Sequence, residues 1–235
     1  MKKKKMLEIK NVKVYDLKES VIACRNAMRL EMPEYTDEEF EKSLVRAKKL
    51  VSASAQSPNV KCHDNFLTGI RVSFDMKYPQ YFTKQSQRYH WFDYVSSNSM
   101  MHRLVKMNAD SICNKYVSKA SVEQLDKDIA EYNEIAAMDT YPMEGNPLVF
   151  ELRNGETLVA ETKGDALYYA YMKCISDCPM GAELFVRVST NYKQLQTMYW
   201  QRKDHKLKED WGAFVEFVKS LPYAKELIIG ESLEK

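Results

Sequence analysis

The sequence predicts an α+β fold in which helices pack around a small mixed or antiparallel sheet, with an inserted β-hairpin. Three observations carry this expectation. In GIRVSFDMKYP, Ile70, Val72, Phe74 and Met76 alternate with polar neighbours, the period of a half-buried strand. In TDEEFEKSLVRAKKLVSAS the apolar residues recur at helical spacing instead. In PLVFELRNGETLVAE two alternating runs flank Asn154-Gly155, a pair suited to the positive φ angles of a two-residue type I′ turn.

The other elements follow in chain order. Leu7, Ile9, Val12 and Val14 predict a first strand, and Val21 to Met32 a helix. Thr36 is placed to cap the next helix, with Glu39 completing a capping box. Its apolar stripe is Phe40, Leu44, Val45 and Val51. Pro79 ends the 70–76 strand, because proline offers no N–H to a ladder. QYFTKQSQRYHWFDYVSSNSMMHRLVKM reads as a helix broken near Ser96 and Ser97. SVEQLDKDIAEYNEIAAM reads as a helix opened by a Ser121-x-x-Gln124 box, with Val122, Leu125, Ile129, Tyr132 and Ala136 on one side. DALYYAYMKCISDC is a helix, and ELFVRVS a short extended or helical bridge. The stretch Thr190–Trp211 and EDWGAFVEFVKSLP are helices, the last stopped by Pro222. With no internal repeat and no linker, residues 1–235 are expected to form a single domain, with the hairpin insertion at about 146–162.

Composition narrows the function. The chain has 235 residues, 45% hydrophobic and 29% charged, the balance of a globular protein able to build a core. Its net charge of +2 weighs against a nucleic-acid coat, so no nucleic-acid partner is expected. With only 7 Gly and 7 Pro, a glycine-rich phosphate loop or a proline-rich linker is not expected. Of the five Cys, Cys174 and Cys178 lie one helical turn apart, yet no Cys/His partner sits near them. They are read as packed, reduced thiols, which points to the cytoplasm. The four His form no paired ligand motif, so no metal site is expected. The basic start, MKKKKMLEIK, has no apolar run after it and reads as a solvated tail rather than a signal peptide. No stretch approaches the ~20 apolar residues of a membrane span.

Two stretches gather groups that could carry chemistry. In QRYHWFDYVSSNSMMHR, Arg88, His90, Ser96, Ser97, Ser99, His102 and Arg103 crowd together, with Tyr89, Trp91 and Tyr94 between them. Arginine and serine donors suit a phosphate, and aromatic rings suit a flat ligand. On chemistry alone an ordinary surface helix explains this stretch as well. The second stretch is TNYKQLQTMYWQRKDHKLKEDW, where Asn191, Leu195, Arg202 and Asp204 fall along one helix. It is either an amphipathic helix with a basic outer face or a helix that touches an anionic ligand.

The order strand, Pro79, arginine-bearing segment, and then Asn-x3-Leu-x6-Arg-x-Asp resembles the flavin-dependent thymidylate synthases. That family has an RHR-x-x-S-type motif after a strand ending in proline, and SFDMKYPQYFTKQSQRYH has the same layout with Arg88 at the first position. Asn191, Leu195, Arg202 and Asp204 match the spacing of the family's long C-terminal helix. VIACRNAMRL and the helix after it resemble the family's first helices, and only the region 142–165 looks inserted. The chain departs from the motif at Tyr89 and His90, which stand in its His and second Arg positions. Gly69 occupies the place of an active-site His, with His63 nearby. A second register lays MHRLVKMNADS on the motif through His102, Arg103, Asn108 and Ser111, although the distance from Pro79 favours the first.

The resemblance implies an enzyme without a protein nucleophile. Reduced FAD would relay a methylene from methylenetetrahydrofolate to dUMP, with NADPH as electron source, in a homotetramer whose sites are shared between subunits. It implies Arg88, His90, Asn191 and Arg103 at the flavin, and Ser97, Ser99 and Arg202 at dUMP. The second reading is a non-catalytic nucleotide-binding or interaction protein on the same scaffold, which the altered Tyr89 and His90 positions feed.

Overall fold

The structure, a computed structural model, describes residues 6–56, 63–141 and 146–230. The N-terminal Lys run and Cys62 lie outside the described residues. In chain order the elements are β1 (Glu8–Tyr15), α1 (Leu17–Ala23), α2 (Asp37–Gln56), β2 (Arg71–Pro79), α3 (Gln80–Ser86) and β3 (Asp93–Ser97). Then come α4 (Met100–Arg103), α5 (Ala109–Ile112), α6 (Lys119–Ala137), β4 (Leu148–Glu151), β5 (Thr157–Ala160), α7 (Lys163–Asp177), β6 (Glu183–Asn191), α8 (Tyr192–Arg202) and α9 (Trp211–Lys219). The result is the α+β class expected. The chain forms two compact units, one of Met1–Tyr78, Phe82–Ser97 and Phe185–Lys235, the other of Pro79–Tyr81 and Asn98–Leu184.

The first unit is built on a sheet of order β1-β2-β6-β3. β1 runs antiparallel to β2, and β3 antiparallel to β6. The alternation read in β2 is realised, since Ile70, Val72, Phe74 and Met76 are all fully buried. Each such side chain contributes roughly 1.5–3 kcal/mol by leaving water. β6 buries Val186 and Val188 in the same way, so ELFVRVS is a central strand rather than a bridge. An aromatic cluster fills the core, with Phe82 and Trp211 centroids 4.5 Å apart and Phe74 and Phe217 4.7 Å apart.

Several expectations are corrected here. The helix expected over 21–32 starts earlier and is short, spanning Leu17–Ala23 and followed by a 3₁₀ turn at Asn26–Met28. In α2, Thr36 accepts from the Glu39 N–H at 3.2 Å, as half of the box requires. The Glu39 carboxylate turns instead to Arg25, Arg29 and Ser43. The buried stripe is Phe40, Leu44, Ala47 and Val51, while Val45 faces solvent. The long helix expected after Pro79 is broken into α3, β3, α4 and a 3₁₀ turn at Leu104–Lys106. α3 ends at Ser86, and Asp93–Ser97 form β3, where pairing with β6 overrides the helical pattern.

In the second unit, α6 and α7 pack through Leu125, Ile129 and Cys174, with Cys178 against the same cluster. The cap of α6 is Ser118, which accepts from the Ser121 N–H, three residues before the expected Ser121 cap. Ile135 is buried in place of Ala136. The β4–β5 hairpin pairs Leu148 with Ala160 and Phe150 with Leu158, the expected register. Its turn differs. The Gly155 N–H reaches the Leu152 carbonyl at 2.9 Å, and the Leu152 N–H reaches the Glu156 carbonyl at 2.7 Å. Gly155 has φ 85°, whereas Asn154 is not among the residues with positive φ. This is a three-residue turn closed by a left-handed glycine, not a type I′ turn.

Candidate functional site

In the first unit a polar corner is built where α8 ends and α9 begins. Asn191 is extended (φ −142°, ψ 167°), and its Oδ1 accepts from the Gln194 N–H at 2.8 Å, which starts α8. Tyr192, Leu195, Met198 and Tyr199 bury one side of the helix. Eleven residues after the cap, that anchored helix delivers Arg202 as its last residue. The next helix opens with Trp211, which is fully buried. Its indole is held by the Phe82 ring and by a hydrogen bond from Nε1 to Gln85 Oε1 at 2.7 Å.

Arg202 lies against this fixed indole. Its guanidinium carbon is 4.5 Å from the Trp211 ring centroid and 5.4 Å from that of Tyr89. Its Nε donates to the Tyr89 hydroxyl at 2.6 Å, and that hydroxyl donates to Gln201 Oε1 at 3.0 Å. No carboxylate pairs with Arg202 among the described residues, and its Nη groups make no hydrogen bond there. Two aromatic contacts and one neutral hydrogen bond therefore orient a half-buried cation without neutralising it. Burial, helped by the Arg202 and Lys206 cations, pushes the His205 imidazole below its usual range. Its Nδ1 accepts from the Leu207 N–H at 3.1 Å. The corner is thus positive, with a neutral histidine beside it, and suits an anion. Asp204 faces solvent, 3.9 Å from Lys203 Nζ, and balances little of this charge.

The segment before β3 reaches the same helix. Trp91 N–H donates to Gln194 Oε1 at 3.2 Å, and the Thr190 hydroxyl donates to the Trp91 carbonyl at 2.6 Å. Tyr89 and Phe92 turn inward, while Arg88, His90 and Trp91 face solvent. His90 packs edge-on to Trp91 at 4.8 Å.

The structure therefore brings Arg202 together with Tyr89, the residue in the motif's His position. Arg88 and His90 point outward on the same short segment, and Arg88 has no carboxylate partner among the described residues. Asn191 is buried, and its oxygen caps α8, so it positions the helix. Ser97 is exposed on β3 opposite Val186. Ser99 and Arg103 belong to the second unit, where Ser99 caps α4 by accepting from the His102 N–H at 3.2 Å. Gly69 has a packing role, since a Cβ there would lie 2.3 Å from Ser20 Oγ, and His63 is exposed. Sequence reasoning missed Trp211, Gln201 and Gln194 as site residues. Their roles depend on contacts between distant segments. Among the described residues no group of His, Cys, Asp and Glu could hold a metal, and no helix is long and apolar enough to cross a membrane.

No family model matches the chain, and no curated protein sequence matches it. Solved structures do match in fold. The flavin-dependent thymidylate synthase ThyX from Helicobacter pylori, complexed with FAD and dUMP, gives a TM-score of 0.61 at 16% identity, covering 97% of this chain and 99% of that one. A second structure of that enzyme with FAD and dUMP gives 0.56 at 14% identity, over 96% and 97%. The UMP/dUMP methylase PolB from Streptomyces cacaoi, bound with 5-Br dUMP, gives 0.55 at 11% identity, over 97% and 95%. These likenesses define an α+β fold class shared along nearly the whole chain. Within that class, the chain has the fold of the flavin-dependent thymidylate synthases.

Proposed function

We propose that the protein binds dUMP at the Arg202 corner and methylates it reductively to dTMP, with FAD, methylenetetrahydrofolate and NADPH. The observation that carries this reading is the oriented, uncompensated Arg202 guanidinium on a fold whose solved members bind FAD and dUMP or 5-Br dUMP. A planar guanidinium with free Nη groups suits a phosphate or a uracil edge, and lysine would not replace it. Tyr89 and Trp211 hold its plane, so little side-chain entropy remains to be lost on binding.

The residues present also fit an anionic cofactor with a flat ring. Arg88 is a solvent-facing cation without a carboxylate partner among the described residues, two residues from His90 and three from the exposed Trp91. In this reading Arg88 neutralises flavin phosphate charge, His90 stands beside it, and Asn191 acts through the helix it caps. Ser97, in the same unit as Arg202, joins the nucleotide side, with site sharing between subunits of a homotetramer. FAD, when bound, supplies the redox chemistry that the chain's own side chains lack.

A non-catalytic nucleotide-binding protein is the second reading, and Tyr89 and His90 in the motif's His and Arg places favour it. Two measurements separate them. Purified protein should carry a flavin absorbance spectrum, and it should form dTMP from dUMP when given the folate, NADPH and FAD. A colourless protein that binds dUMP but forms no dTMP would leave the second reading standing. A protein that binds neither would remove both.

A further inference from the structure

The second unit holds a cavity of about 540 Å³ between the β4–β5 hairpin and α7, away from every residue assigned above. We propose that it is a binding site for a small organic cation, an ammonium group carrying an apolar body. The volume lies in the range of small-molecule sites.

Its walls are aromatic and acidic. Phe150 and Tyr169 meet edge-on at 5.6 Å, Tyr168 and Tyr169 at 5.8 Å, and all three line the cavity. Tyr168 is 59% exposed despite its size, so its ring is available to a ligand. Glu151 and Asp177 bring carboxylates to the lining.

Of the two cations in the lining, Lys173 is already committed. Its ammonium binds Glu131 and lies 3.5 Å from Asp128 Oδ1. Although burial works against its charge, those carboxylates hold its pKa above the usual lysine range. It therefore offers the cavity little positive charge. Arg153, exposed in the hairpin turn, is the other. Behind the wall, Asp128 is 1% exposed and has an oxygen without a hydrogen-bond donor. With Lys173 taken up by Glu131 and Asp128, the lining keeps Glu151 and Asp177 against Arg153 alone, and π faces with nearby negative charge are what an organic ammonium recognises.

Calorimetric titration of the full chain decides the matter with three probes of one shape and three charges: choline, its uncharged tert-butyl isostere, and tert-butylacetate. Choline should bind roughly tenfold or more tightly than either of the others. Tyr168→Ala and Asp177→Asn should each weaken choline several-fold; both side chains are exposed, so both variants should fold. Tighter binding of the anion would assign the cavity to Arg153. Equal binding of all three probes, no binding of choline, or choline binding untouched by both substitutions would also overturn the proposal. None of these outcomes bears on the nucleotide reading, because the two sites share no residue.

Discussion

The Arg202 corner and the Lys173 cluster use the same ingredients to opposite effect. Each has a long cationic side chain near the end of a helix and aromatic rings in the surroundings, Arg202 against Trp211 and Tyr89, Lys173 in a cavity lining shared with Tyr168 and Tyr169. Arg202 has Trp211 at 4.5 Å, a neutral hydroxyl on Nε, and no carboxylate among the described residues. Lys173 is ringed by Glu131 and Asp128, with Asp177 beyond. The difference shows that an aromatic-flanked cation does not itself define a site. The local balance of charge decides whether the surroundings await an anion or a cation.

The two aromatic walls provide the largest contrast. Trp211 is fully buried and Tyr168 is 59% exposed. Trp211→Ala should cost about 3–5 kcal/mol in chemical unfolding, whereas Tyr168→Ala should stay within about 0.5 kcal/mol of wild type. Similar losses for both would mean that the Arg202 wall is no more anchored than the cavity wall. Next in size is the support of α8. Asn191→Ala removes a buried cap and should cost about 1–2 kcal/mol in the same measurement; an unchanged midpoint would show that α8 does not depend on that cap.

The hairpin that lines the cavity offers a third contrast. Gly155→Ala places a side chain at φ 85° in open space, so only backbone strain opposes it. A loss of about 1 kcal/mol is expected, and a gain would contradict the left-handed glycine. The smallest effect concerns charge. Burial, with Asp177 adding to it and Gln124 and Lys173 opposing, raises the Asp128 pKa above its usual range. Folded protein then binds the proton more tightly than unfolded protein. Stability from this group is present at low pH and is lost as pH rises from the ordinary Asp value through the raised one. Asp128→Asn should remove that loss, so the variant's stability relative to wild type should rise with pH across the window. A constant difference would contradict it.

The fold was legible where its causes are local. The β2 alternation and the hairpin register follow from residues a few places apart and stand as read, and the α2 stripe stands except at Val45, whose place in the core Ala47 takes. β3 was not legible, because its ladder partner β6 lies some ninety residues away, and its serines carry no strand signal of their own. The hairpin turn was misjudged by one residue, since Asn-Gly serves either loop length. At the candidate corner, the spacing from Asn191 singles out Arg202 in the sequence. Its neighbours were not legible: Tyr89 and Trp211 meet it from segments more than a hundred residues apart.

The most direct measurement is a calorimetric titration of dUMP into wild type, Arg202→Ala and Arg202→Lys. Charged hydrogen bonds contribute about 1.5–3 kcal/mol each, so Arg202→Ala should weaken binding roughly tenfold or more. Arg202→Lys should not restore it, because an ammonium cannot replace the stacked plane. Both variants should keep the ligand-free melting temperature close to that of wild type. Equal affinities across the three proteins, or no dUMP binding by any of them, would take Arg202 out of the site.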